Sequence, residues 1–123
     1  MPATYRISNQ SQALIQPLVV RNCTSFGCKL LGLAWQAPIA QDHGLLLVLP
    51  KEGRKSAGIH MLGMFSHLTV VWLDGDYRVV DVRKAYAWRS IIYPQDRAKY
   101  VIECRLSRFD EFKIGDQLVL EAS

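Results

Sequence analysis

The chain is poor in cysteine, with Cys23, Cys28 and Cys104 its only three in 123 residues, and it has no apolar run long enough to span a bilayer. An odd number of cysteines argues against a disulfide framework and for reduced, mostly buried thiols. Residues 1 to 10 lack the basic and apolar regions of a secretory signal, so a soluble, cytoplasmic protein is expected. Metal ligands are sparse too. Cys23 and Cys28 are separated by four residues and His43, His60 and His67 lie beyond them, but there is no second Cys-x-x-Cys knuckle and no closely spaced His pair. No metal and no cofactor are expected. A Gly-x-Ser-x-Gly elbow, a His-Glu-x-x-His helix and a phosphate-binding Gly-x(4)-Gly-Lys-Ser/Thr loop are all missing, and Gly53 to Ser56 does not supply the last of these. No catalytic residue is assigned.

Half of the residues are apolar and 21% are charged, the balance of an ordinary globular chain, and the length fits one domain over residues 1–123. Periodicity gives mostly strands. Ala13 to Val20 reads as a strand that Pro17 pushes to an edge or breaks. Asn22, Thr24 or Ser25 offers an N-cap for a short helix whose apolar positions, Phe26, Leu30, Leu33 and Ala34, run until Pro38. Gly44 to Leu49 is a continuous apolar run, as in a strand covered on both faces, with Pro50 as its stop and Lys51 to Ser56 as a solvated turn. In the hairpin from His67 to Val82, Asp74-Gly75 is expected to supply the positive φ of a tight turn. Its first strand places Leu68, Val70 and Trp72 on one face and Thr69, Val71 and Leu73 on the other. Both faces are largely apolar, which implies a central strand or a barrel wall. Lys99 to Arg105 reads as a further strand, Ser107 to Asp110 as an N-cap box, and Gln117 to Glu121 as the last strand after a turn at Lys113 to Asp116. The expected fold is mainly β (α+β), a twisted, barrel-like sheet with one or two short helices.

The order Gly32-Leu-Ala-Trp-Gln-Ala-Pro-Ile39, Gly44-Leu-Leu-Leu-Val48, Asp74-Gly75, Tyr100-Val-Ile-Glu103 and Ile114-Gly-Asp116 resembles the small bacterial and archaeal family known as domain of unknown function 192, over about residues 18 to 121. The resemblance implies a fold and no reaction. Family members carry Trp-Met-Lys-Asn-Thr followed by Pro-Leu-Asp before the central hairpin. Here that register holds His60-Met61-Leu62-Gly63-Met64 and then His67-Leu68-Thr69, and Gln36 stands where an arginine is usual. A role carried by that polar cluster in relatives is lost or altered in this chain.

Three functions follow for comparison. Ile59, Met61, Leu62, Met64 and Phe65 replace the polar cluster with an adaptable apolar segment, which suits an apolar ligand, a protein partner or a second copy of the chain. That reading, a non-enzymatic binding or interaction domain, takes Trp35, Gln36, His60, Met61, Leu62, Met64 and His67 as its site. The alternative is electrostatic. Residues 78 to 108 hold eight basic against three acidic side chains, interleaved with Tyr86, Trp88, Tyr93 and Tyr100, a composition that suits nucleic acid or another polyanion. Arg83, Lys84, Arg89 and Arg97 form that candidate basic patch, although alternating arginines and aromatics equally describe a strand with one wet and one dry face. An enzyme of small molecules ranks third, with His60 and His67 as a conceivable acid/base pair.

Overall fold

The computed structural model describes residues 4–23, 42–59, 67–86 and 92–123. Seven strands form one sheet: β1 (Thr4–Asn9), β2 (Leu18–Cys23), β3 (His43–Gly53), β4 (Leu68–Leu73), β5 (Val79–Ala85), β6 (Ala98–Arg105) and β7 (Leu118–Ala122). Their order across the sheet is β5-β4-β6-β3-β2-β1-β7, with β2 and β3 parallel and every other neighbouring pair antiparallel. The sheet curls into a half-barrel. Its two outer strands meet at one end, where Arg78 bridges Gln117, the Val79 amide donates to the Asp116 carbonyl (2.9 Å) and the Leu118 amide donates to the Tyr77 carbonyl (3.0 Å).

The expected two-faced burial of β4 holds at every position, since all six of its residues are buried. Val71 and Leu73 join an inner core drawn from all seven strands, including Ile7, Val20, Leu46, Val79, Ile102, Cys104 and Leu118, together with Phe112. Leu68, Val70 and Trp72 face outward into a second core with Leu45, Leu47, Leu49, Val101 and Ala85, covered in part by Ala57, Ile59 and Ile92. The indole of Trp72 donates to the Ala57 carbonyl at 2.8 Å, which ties this cover to the sheet. β3 is likewise buried on both faces from Leu45 to Leu47. At its start a Cβ on Gly44 would lie 2.6 Å from the Glu103 carbonyl oxygen, so the close approach of β3 and β6 requires a residue without a side chain there.

Several local expectations are corrected. Pro50 does not end β3, because the ladder to β6 shifts register between Val48 and Gly53 and no ladder partner needs the missing N–H. Pro17 breaks the segment before it, so β2 begins at Leu18 and is interior, between β1 and β3. Asn22 belongs to β2, and the expected helix to Pro38 lies outside the described residues. In the β4–β5 hairpin the positive φ falls on Tyr77 (65°) and not on Gly75. Tyr77 follows a turn closed by its own amide to the Asp74 carbonyl, and Asp74 Oδ1 takes the amides of Asp76 and Arg78. This is the longer hairpin loop with a left-handed residue after the turn, here a tyrosine packed on Tyr100. Ser107 is not the N-cap, since it lies inside a helix that starts at Leu106. Leu106–Glu111 is a 3-10 helix with no side-chain cap, and a second 3-10 helix covers Lys55–Ala57. β1 carries no strand expectation from periodicity, yet it is central to the far half of the sheet.

Candidate functional site

Four carboxyl side chains among the described residues are buried: Asp81, Glu103, Glu111 and Asp116. Three of them accept several hydrogen bonds each. Asp81 accepts from the amides of Val82 and Gln95 (both 2.9 Å) and from Arg83 Nε (3.1 Å). Glu111 accepts from Arg108 Nε (2.8 Å), from a second guanidinium nitrogen of Arg108 (2.9 Å) and from the Ile15 amide (2.9 Å). Arg108, wholly buried, also donates to the carbonyls of Gln16 and Pro17, so this pair clamps the segment before β2 onto the 3-10 helix. Asp116 accepts from Asn9, Gln12 and the Lys113 amide. Its turn closes through Gly115, whose φ of 94° favours glycine.

Glu103 differs from these three. It retains 6% of its surface, and its carboxyl makes no hydrogen bond or ion pair with another described residue. Period-2 alternation sets its direction: Ile102 and Cys104 enter the inner core, so Glu103 faces outward with Val101. The register places it between Val70 of β4 and Leu45 of β3, both buried and apolar. Loss of hydration disfavours the ionised form, and the carboxyl is pushed up to about 7. A carboxyl poised there, without a partner among the described residues, makes Glu103 the candidate site. Cys104, its neighbour in sequence, faces the other way. Burial lifts its thiol to about 12, so it is no nucleophile near neutrality.

Of the residues singled out by sequence, the structure describes four. Trp35, Gln36, His60, Met61, Leu62, Met64 and Arg89 lie outside the described residues. His67 is exposed, just before β4, with its ring edge-on to Tyr86 at 5.3 Å. Arg83 and Lys84 alternate to opposite faces of β5: Arg83 is held by Asp81, while the Lys84 ammonium stands 5.0 Å from the centre of the Phe109 ring. Arg97, before β6, donates to the Glu52 carbonyl at 3.2 Å. The described members of the basic patch each have a different partner. Glu103 was visible in the sequence as part of a motif and as a charge among bases. Its position between two strands that are each apolar on both faces was the signal of its burial.

Among the described residues, the fold and this site define a class: a seven-stranded half-barrel with one buried acid on its outer face whose carboxyl has no described partner. The chain belongs to the family described as Uncharacterized ACR, COG1430 (domain of unknown function 192), whose model matches residues 7–120 and so takes in the second half of β1. It is similar to a UPF0127 protein of Pyrococcus abyssi, 38% identical over 114 residues that cover 91% of this chain and 94% of that one. A UPF0127 protein of Pyrococcus horikoshii is 39% identical over 97 residues, 79% and 81% of the two chains. A UPF0127 protein of Thermococcus gammatolerans is 50% identical over 62 residues, which are half of this chain and 40% of that longer protein. Among solved structures, a protein of Sinorhizobium meliloti 1021 described as a candidate transcription regulator superposes with a TM-score of 0.84 at 19% identity, covering 97% and 95% of the two chains. A protein of unknown function from Novosphingobium aromaticivorans gives 0.76 at 16% identity, covering 94% and 83%. These two likenesses concern the fold alone. None of the comparisons indicates a specific function. No helix among the described residues is long and apolar enough to cross a membrane.

Proposed function

We propose that this chain is a single, non-enzymatic binding domain of the cytoplasm, and that its ligand sits on the outer face of the sheet at Glu103. The observation that carries this is the contrast among the buried carboxyls: those of Asp81, Glu111 and Asp116 each accept three hydrogen bonds, and that of Glu103 accepts none from another described residue. General acid/base catalysis works with two titratable groups whose environments drive them apart. A lone carboxyl in an apolar setting serves recognition better. The segment 59–67, with Trp35 and Gln36, belongs to the same reading as the apolar part of the recognition surface.

Native mass spectrometry of gently purified protein tests this. A discrete added mass is expected in the wild type and is expected to be lost or depleted in Glu103→Gln. Identical spectra for the two proteins would remove Glu103 from any site. Leu62→Lys and Met64→Lys are expected to weaken retention of the same mass in folded protein, and unchanged retention would detach the 59–67 segment. The polyanion reading stands second, supported by the exposed arginines of the outer face. It requires binding of single-stranded nucleic acid that falls steeply with salt, and undetectable binding at low salt would remove it.

A further inference from the structure

A groove opens where β2 begins. The β1–β2 ladder ends at Ile7 and Leu18, and the segment before Leu18 is no longer paired with β1. Between residues 6–9 of β1 on one side and residues 13–17 with Val19 on the other lies a space of about 630 Å³, the size of a small-molecule site. All of its lining belongs to the described residues, and most of that lining is exposed. Ile15 keeps 84% of its surface, the most of any large apolar side chain described.

The wall opposite β1 is fixed from beneath. The Ile15 amide donates to Glu111 at 2.9 Å, and the carbonyls of Gln16 and Pro17 accept from Arg108 at 2.6 and 3.0 Å. Arg108 and Glu111 are buried and bonded to each other, so this stretch of backbone needs no ordering when a molecule binds above it. Ile15, Pro17 and Val19 therefore form a preset apolar wall.

Charge narrows what the groove takes. Its one charged lining residue is Arg6, exposed and with a guanidinium that bonds no other described residue. Glu121, opposite Arg6 on β7, is exposed and forms no ion pair with it. Arg21, a diagonal neighbour on β2, adds a second exposed cation on the same face. Beyond Val19, His43 and Asp42 pair with each other, and Glu111 and Asp116 are buried and engaged. Two arginines against one glutamate favour a monoanion, whereas a phosphate dianion brings a second charge toward Glu121 and a cation meets Arg6 first. The β1 side, Arg6 to Asn9, is three residue steps of strand, roughly 10 Å long. An extended octanoate chain, built of C–C bonds of about 1.5 Å, matches that length.

We infer that this groove binds an aliphatic monocarboxylate of medium chain length, its carboxylate paired with the guanidinium of Arg6 and its chain laid along Ile15, Pro17 and Val19. The site is separate from Glu103, which stands three strand spacings from β1, across β3 and β2, or roughly 14 Å away.

Sodium octanoate, titrated into the isotope-labelled full chain at pH 8 and constant ionic strength, tests this through the amide shifts in NMR spectra. Saturable shifts are expected at residues 6–9 and 13–17. Arg6→Gln is expected to weaken binding about tenfold through loss of charged hydrogen bonds, and octanol is expected to bind the wild type more weakly than octanoate by a similar factor. Ile15→Asp, at a position too exposed to matter for folding, is expected to weaken octanoate binding severalfold. Shifts that are absent or centred elsewhere, an Arg6→Gln affinity equal to that of the wild type, or octylammonium or octyl phosphate binding as tightly as octanoate would overturn the inference. Glu103→Gln is expected to bind octanoate as the wild type does. A loss there would assign the ligand to Glu103 and overturn the groove.

Discussion

Replacing Glu103 by glutamine removes the ionisation and keeps the shape, and its effect on stability is set by the site's burial. An unfolded glutamate releases its proton near 4.5, whereas Glu103 in the folded chain holds it up to about 7. Between those values the folded state binds more protons than the unfolded one, so stability falls as pH rises, and the loss is complete above 7. At about 1.4 kcal/mol per pH unit the gap corresponds to about 3 kcal/mol, a large share of the stability of a small domain. Urea denaturation of wild type and Glu103→Gln at pH 4, 6 and 8 measures it, because titrations common to both proteins cancel in the difference. The glutamine variant is expected to gain on the wild type by about 3 kcal/mol between pH 4 and pH 8, nearly all of it before pH 7.5. A difference that stays constant within about 1 kcal/mol across this range would refute the assignment of Glu103 as a desolvated, unpartnered acid.

Other substitutions test the frame around it. Arg108→Met leaves Glu111 buried and uncompensated and is expected to cost about 3 to 5 kcal/mol in urea denaturation, with much of that recovered in Arg108→Met/Glu111→Leu. Gly115→Ala, strained only by its φ of 94°, is expected to cost about 1 to 2 kcal/mol. Gly44→Ala must also push β3 off β6 and is expected to lower the thermal midpoint well beyond Gly115→Ala; equal effects would contradict the close approach. Cys104, buried and with its thiol raised to about 12, is expected to resist a thiol reagent at pH 8 until urea unfolds the chain, and fast native labelling at that position would place it at the surface.

What could be read from sequence follows the range of the forces involved. The alternation in Leu68–Leu73 and in Lys99–Arg105 is local, and the sheet reproduces it residue by residue. The family frame likewise located Gly44 and Glu103. The identity of the αL residue did not follow from Asp74-Gly75, because Tyr77 is held in that conformation by a ring 4.9 Å away on β6. Arg108 and Glu111 have the spacing of an ion pair, but their burial depends on Gln16 and Pro17, more than ninety residues earlier. β1 lacked a strong apolar pattern since Arg6 and Ser8 face solvent and only Ile7 and Asn9 are buried. The same dependence on distant neighbours hid the isolation of Glu103. An acid in a strand is common, and its lack of a partner is a property of the rows on either side.

The pairing of β1 with β7 has a kinetic side. The Ser123 amide reaches the Thr4 carbonyl at 3.1 Å across almost the whole chain, so the outer edge of β1 stays unpaired until the last strand has been made. Contacts of such separation close slowly. A ribosome-bound chain therefore carries an open strand edge until β7 emerges, the kind of edge on which chains join one another. Arg6, whose side chain stands on that strand, places a charge there during the wait.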